Sequence, residues 1–119
     1  MAVNRLQVSQ EGVIESPLSV PIPTTDLFSY IVSSGSGLSH KAPQYFDATS
    51  PSSCYTLEDA ELRAKRFGRG LQSMGLQKQQ KVVLYSGNNL FFPVVLWGVT
   101  AAGGVFTGAS PTASVHGMP

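Results

Sequence analysis

After Lys81 the chain has no charged side chain: Val82 to Pro119, 38 residues, contains no Asp, Glu, Lys or Arg. A domain of 119 residues exposes much of its chain to water. An uncharged final third therefore implies surface that further polypeptide covers, and the chain reads as one piece of a larger protein. Cysteine is almost absent too. The single Cys54 excludes an internal disulfide and a thiolate cluster, so a reducing, intracellular compartment is the default. The cations form no stripe and the formal net charge is +1, which argues against a nucleic-acid surface. Met1 to Gln10 has no apolar run and no small-residue cleavage pattern, so no secretory signal is expected. Leu90 to Phe106 is strongly apolar, but Pro93, Gly98 and Gly103-Gly104 interrupt it, and a membrane span needs about 20 such residues. No transmembrane span is expected.

What is present divides into three parts. Residues 1–25 read as an extended leader, because Pro17, Pro21 and Pro23 forbid a regular helix. Residues 26–113 read as a partial α/β subdomain, and residues 114–119 as a tail. Thr24, Thr25 and Asp26 offer caps for a short helix to about Ser33. A Ser/Gly loop to Ala42 follows. Gln44–Ala48 and Ser53–Thr56 then suggest a small hairpin, with Thr49-Ser50-Pro51-Ser52 as its turn.

The next helix is the best signalled. Thr56 is its N-cap and Asp59 stands three residues on, where a capping box prefers Glu. Leu57, Ala60, Ala64, Phe67, Leu71 and Met74 recur three and four apart and predict one buried face. Acidic residues precede basic ones, as the helix dipole favours, and Asp59 with Arg63 and Glu61 with Lys65 can pair at i,i+4. These charges read as a solvated face. Gly75 ends the helix. Val82-Val83-Leu84-Tyr85 shows no alternation, which predicts a parallel strand buried on both faces. Gly87-Asn88-Asn89 turns the chain into an apolar helix, Leu90 to Ala102, expected to lie between layers, with Pro93 in its first turn. Gly103 stops it and Gly104 to Gly108 is the next strand. The expected fold class is α/β: one βαβ unit with a small hairpin and flanking helices.

No motif for catalysis emerges. Ser33-Ser34-Gly35-Ser36-Gly37-Leu38-Ser39-His40-Lys41 has the composition of a phosphate-cradling loop. But no strand precedes it, Gly-Lys-Ser/Thr is absent, and Ala42-Pro43 blocks a following helix. Gly103, Gly104 and Gly108 flank a strand, whereas a dinucleotide fingerprint opens a helix. No Gly-x-Ser-x-Gly elbow exists. His40 and His116 lie in a loop and in the tail, which suits neither a triad nor a metal. Cys54, Phe91, Phe92 and Trp97 read as packing residues.

The order of features from Tyr55 to Pro111 carries a resemblance. Tyr55-Thr56-Leu57-Glu58-Asp59-Ala60-Glu61-Leu62 opens a helix that Gly70-Leu71 and Gly75-Leu76 close, and Lys78 follows. Val82-Val83-Leu84-Tyr85, Gly87-Asn88-Asn89 and Ala101-Ala102-Gly103-Gly104-Val105-Phe106-Thr107-Gly108-Ala109-Ser110-Pro111 come next. This set resembles the start of the AMP-forming acyl-CoA synthetases and ligases. The leader Val20-Pro21-Ile22-Pro23 with Asp26-Leu27-Phe28 looks most like fungal ligases of the 4-coumarate–CoA ligase type. The chain departs from that family at Gln79-Gln80, where Gly-Asp is usual, and at Ser110-Pro111, where Asn-Pro is usual. These two look like ordinary drift. It departs again after Ala113, where Gly117 and Pro119 would break the expected helix. The third departure suggests that the natural sequence ends near Ala113, with a wrong frame or unspliced intron beyond.

The resemblance implies ATP, Mg and CoA as cofactors and a carboxylic acid as substrate, in a cytoplasmic or peroxisomal enzyme. The acid would attack ATP to give an acyl-adenylate and pyrophosphate, and CoA would take the acyl group. The family's phosphate loop, Thr-Glu motif, ribose-binding Asp and carboxyl-terminal lysine align with nothing here. No catalytic, cofactor-binding or metal residue is therefore assigned, and the chain alone is expected to be inactive. A non-catalytic α/β interaction module and a small membrane-associated protein are the alternatives.

Overall fold

The computed structural model describes residues 7–8, 10–33 and 39–112. Among them, nine elements run in the order β1 (Gln7–Val8), β2 (Ile14–Glu15), α1 (Leu27–Ser33), β3 (Pro43–Phe46), β4 (Cys54–Thr56), α2 (Leu57–Ser73), β5 (Lys81–Tyr85), α3 (Phe92–Ala101) and β6 (Val105–Ala109). The order of helices, hairpin and βαβ unit is the α/β arrangement expected. The loop residues 34–38 and the whole tail, residues 114–119 with His116, lie outside the described residues.

Helix α2 starts where its caps dictate. The Thr56 hydroxyl accepts the Asp59 amide at 3.0 Å, and the Asp59 carboxylate accepts the Thr56 amide at 3.1 Å and its hydroxyl at 2.9 Å. Asp thus completes a reciprocal capping box that usually takes Glu. At the other end the Leu76 amide donates to the Leu71 carbonyl and the Gly75 amide to Gln72, with Gly75 at φ +99°. That pattern is the paired C-terminal closure that a left-handed glycine permits. The same closure ends α3, where Gly103 (φ +81°) donates to Thr100 and Gly104 to Val99.

Leu57, Ala60, Ala64 and Gly68 make the buried stripe of α2. Phe67 and Leu71 are half-buried, and Met74 stands past the helix end at 86% exposure, against expectation. The stripe is narrow because α3 crosses very close. A Cβ on Gly68 would lie 2.7 Å from the Gly98 carbonyl oxygen, and one on Gly98 would lie 2.7 Å from Phe67 Cδ1 and 2.9 Å from the Ala64 carbonyl oxygen. Helix α1 joins this centre through Phe28, which is buried with its ring 6.2 Å from Trp97. The hairpin joins through Tyr45, whose hydroxyl accepts the Trp97 indole N–H at 3.2 Å.

Strands β5 and β6 pair in parallel, from Lys81 opposite Val105 to Tyr85 opposite Ala109. Val82, Leu84 and Phe106 are half-buried, and Phe92 of α3 meets Phe106 edge-on at 5.6 Å. The opposite face is open: Val83 is 60% and Tyr85 57% exposed. The expectation of a strand buried on both faces is therefore corrected, since the described residues cover the sheet from one side only. Helix α3 likewise buries only Val94, Gly98 and Val99, so the described residues do not enclose it between two layers.

Two further expectations change. The leader is not wholly extended, because β1 and β2 pair antiparallel around Gly12. Gln79, one of the two residues that replace Gly-Asp, takes φ +66° and donates its amide to Gly103 at 2.7 Å. That left-handed position is one where glycine carries no steric cost, so the departure falls where side-chain identity matters to the backbone.

Candidate functional site

Ligands of open parallel sheets gather at the carboxyl ends of the strands. In this chain those ends form a concavity of about 390 Å³ lined by Ser86, Gly87, Asn88, Phe92, Ser110 and Pro111 among others. Asn89, outside the lining, braces Ser86 on one side. Its amide nitrogen donates to the Ser86 hydroxyl at 3.1 Å, and its side-chain oxygen accepts the Phe91 amide at 2.9 Å. The other wall is held by the Tyr85 hydroxyl, which donates to the Pro111 carbonyl at 3.0 Å, and by Ser110 and Thr112, whose hydroxyls are 2.8 Å apart. Asn89 thus joins the strand turn to the segment before the helix, which itself begins at Phe92.

Among the described residues, no charged group lines this concavity. A polyphosphate there would meet hydroxyls, amides and a phenyl ring but no cation. No group of three His, Cys, Asp or Glu residues able to hold a metal occurs among the described residues. The residues present do not fit ATP with its magnesium.

A larger groove of about 520 Å³ runs along α2 beside the start of α3, with Arg63, Arg66, Phe67, Leu71, Met74 and Phe91 in its walls. One of its cations is engaged elsewhere: the Arg63 guanidinium sits 4.5 Å over the Tyr55 ring. The expected Asp59–Arg63 pairing is a minor influence on Asp59. Its carboxyl is held below the ordinary Asp value chiefly by the Thr56 hydroxyl and amide, with the Arg63 charge contributing last. The Glu61–Lys65 pair forms as expected. Asp47 is lowered by the Thr49 hydroxyl and amide and the Ser50 amide, which close the hairpin turn. Asp26 is lowered by Ser29, whose amide it accepts at 2.9 Å as the cap of α1. All three depressed carboxyls are turn and cap residues.

The remaining candidates fall apart in space or in role. The His40 carbonyl accepts the Glu58 amide at 3.1 Å, tying the loop to the start of α2. Cys54 is free and half-buried in β4. Phe92 and Trp97 pack as expected, but Phe91 is 59% exposed and not a core residue. Sequence reasoning missed the Gly68–Gly98 crossing. Its signal was two glycines inside helical segments, where only a packing need explains them.

The fold is shared with known proteins. A family model described as AMP-binding enzyme matches residues 39–118, a span that also takes in residues 114–118 of the tail. Phenylacetyl-CoA ligase epaB of Aspergillus niger is 30% identical over 98 residues, which are 82% of this chain and 18% of that protein. 4-coumarate–CoA ligase-like 1 of Arabidopsis thaliana is 40% identical over 60 residues, 50% of this chain and 11% of that protein. Among solved structures, apo MatB from Rhodopseudomonas palustris superposes with a TM-score of 0.66 at 18% identity, over 77% of this chain and 18% of that one. A benzoate CoA ligase from Burkholderia xenovorans LB400 gives 0.66 at 22% identity, over 76% and 18%. The chain spans less than a fifth of the length of these relatives. On the family match, the chain belongs to the AMP-binding enzymes, the adenylate-forming acyl-CoA ligases.

Proposed function

We propose that this chain is scaffold for an AMP-forming acid–CoA ligase and does not itself activate an acid. In the whole reaction a carboxylate oxygen attacks the α-phosphorus of ATP, the bond to pyrophosphate breaks, and the acyl-adenylate then passes its acyl group to the CoA thiol with release of AMP. The observation that carries the reading is the β5–α3–β6 unit lying inside the family-matched span. Among the described residues, its strand-end concavity has no cation to receive a triphosphate. The part of the reaction that falls to these residues is mechanical: the α2–α3 pair and the parallel strands form a rigid edge for the rest of the fold. Residues 1–25 serve as a leader and 26–113 as an amino-terminal subdomain. ATP, magnesium, CoA and the acid are bound by groups this chain does not contribute. No helix among the described residues is long and apolar enough to cross a membrane.

The names of the relatives point to aromatic acids for the assay: phenylacetate, 4-coumarate and nicotinate. With purified chain, ATP, magnesium and each acid, exchange of labelled pyrophosphate into ATP is expected to stay at background. Acid-dependent exchange by a homogeneous sample would overturn the reading.

A further inference from the structure

The two strands of the parallel sheet hand the chain on in different directions. After β5, Asn89 and Phe91 lead into α3, which covers the face that carries Val82, Leu84 and Phe106. After β6 the chain goes the other way. Strand alternation puts Tyr85 with Val83 on the outer face, and the Tyr85 hydroxyl donates to the Pro111 carbonyl at 3.0 Å. Two residues past the end of β6, the backbone is therefore drawn over the outer face and toward β5. Ser110 and Thr112 brace that turn, with the Thr112 amide donating to the Ser110 hydroxyl at 3.3 Å.

Crossovers between parallel strands are nearly always right-handed. Handedness ties the face that a crossover covers to the direction in which it travels, so crossovers on opposite faces step in opposite directions across the sheet. The β5–α3–β6 crossover covers the inner face and steps from β5 to β6. One that covers the outer face must step the other way, back past β5. Its strand then meets the edge of β5 that has no neighbouring strand among the described residues. The outer face calls for such a cover, because Val83, Tyr85 and Val105 leave it apolar and open, and parallel sheets are buried on both faces. The relatives carry polypeptide enough to supply it, since this chain matches only 18% of the length of phenylacetyl-CoA ligase epaB.

We infer that, in the whole ligase, the polypeptide following β6 crosses the outer face as a helix and returns as a strand on the free edge of β5. The winding of the sheet then reverses at β5–β6, and the concavity at their carboxyl ends lies at the reversal. The inference rests on the scaffold reading above for its occupant, but its test reads topology and not turnover. Acid-dependent exchange by the chain alone would sink that reading and leave the topology to be decided separately.

The Val105 amide donates to the Gln80 carbonyl, so in this register Val82 and Leu84 ladder to β6 while Val83 and Tyr85 point their amides to the free edge of β5. Phe106 and Gly108 point theirs to the far edge of β6. The test is hydrogen exchange at residue resolution, on the full chain alone and on the same chain continued by the epaB polypeptide beyond its match. In the fusion, the Val83 and Tyr85 amides should exchange about tenfold or more slower than in the chain alone, the worth of a ladder bond. Val83→Thr should shift the unfolding equilibrium about tenfold or more in the fusion and within about twofold in the chain alone. Unslowed Val83 and Tyr85 amides, slowing at Phe106 and Gly108 alone, or equal effects of Val83→Thr in the two proteins would each overturn the inference. If the fusion does not fold, the chain alone decides. Nuclear Overhauser contacts from the Tyr85 ring to Pro111 are expected there, and their absence would remove the exit over the outer face and the inference with it.

Discussion

The α2–α3 crossing and the β5–β6 sheet were built from the same kind of sequence, small and apolar, and they ended in opposite states. At the crossing Ala64 and Val99 are fully buried and two glycines let the backbones touch. In the sheet, Val83, Tyr85 and Val105 face outward with nothing among the described residues to bury them. The difference is one of partners. Helices that cross at small residues complete their contact with each other, whereas a two-stranded parallel sheet needs layers on both faces to bury its strands. An apolar residue is thus a statement about burial in a finished assembly, and local sequence does not say which neighbours supply it.

The sharpest way to break the crossing is a methyl group. Gly98→Ala places a Cβ 2.7 Å from the Phe67 ring and 2.9 Å from the Ala64 carbonyl oxygen. Overpacking of this kind costs about 1–3 kcal/mol, and the better helix propensity of Ala returns at most about 1. A net loss of about 1–2 kcal/mol is expected in urea unfolding. Gly70→Ala is the control, because a Cβ there meets nothing within 4 Å. It should stabilise by about 0.5–1 kcal/mol. Equal signs for the two substitutions would show that the crossing is looser than described.

How much of this was legible beforehand follows the same division. Capping, closure and helical phase are local, and Thr56, Asp59, Gly75 and Gly103 announced them correctly. The buried stripe of α2 was read well at Leu57, Ala60 and Ala64 and failed at Met74, which lies past the last helical turn. Burial of β5 was misread because unbroken apolarity reports what a strand meets in its complete setting. Gln79 looked like drift in one dimension and proved to hold a left-handed backbone in three. At the strand ends, the sequence marked Gly87-Asn88-Asn89 as a turn. It could not reveal that Asn89 joins Ser86 to Phe91, since that depends on side-chain geometry.

A smaller effect separates the capped helix from the uncapped sheet in acid. The folded pKa of Asp59 lies below its ordinary 3.8, as do those of Asp26 and Asp47. A depressed pKa means stability that is present above the unfolded value and lost as pH falls through the folded one. Helical ellipticity should therefore decline as pH drops below about 3.8, with α2 contributing most. Asp59→Asn should flatten part of that decline, and Thr56→Ala should cost about 1 kcal/mol at neutral pH. An unchanged acid profile in Asp59→Asn would show that the box is not formed in solution.

The least effect is expected on the open face of the sheet, and its smallness is the informative quantity. Val83 is 60% exposed and its neighbour on that face, Tyr85, is 57% exposed. Val83→Thr keeps the β-branched shape that suits a strand and replaces one methyl by a hydroxyl that water can reach. In a monomer the change should fall within about ±0.5 kcal/mol, as for surface substitutions elsewhere. The same change at a position covered on both faces would bury an unpaired hydroxyl and cost about 1–3 kcal/mol. Thermal unfolding at a concentration where the chain is monomeric therefore measures coverage directly. Fluorescence of an apolar-surface dye should fall in parallel, because the hydroxyl makes the patch more polar. A loss above about 1 kcal/mol would mean that Val83 is covered in solution, and the contrast between a closed helix crossing and an open sheet would then have to be redrawn around whatever covers it.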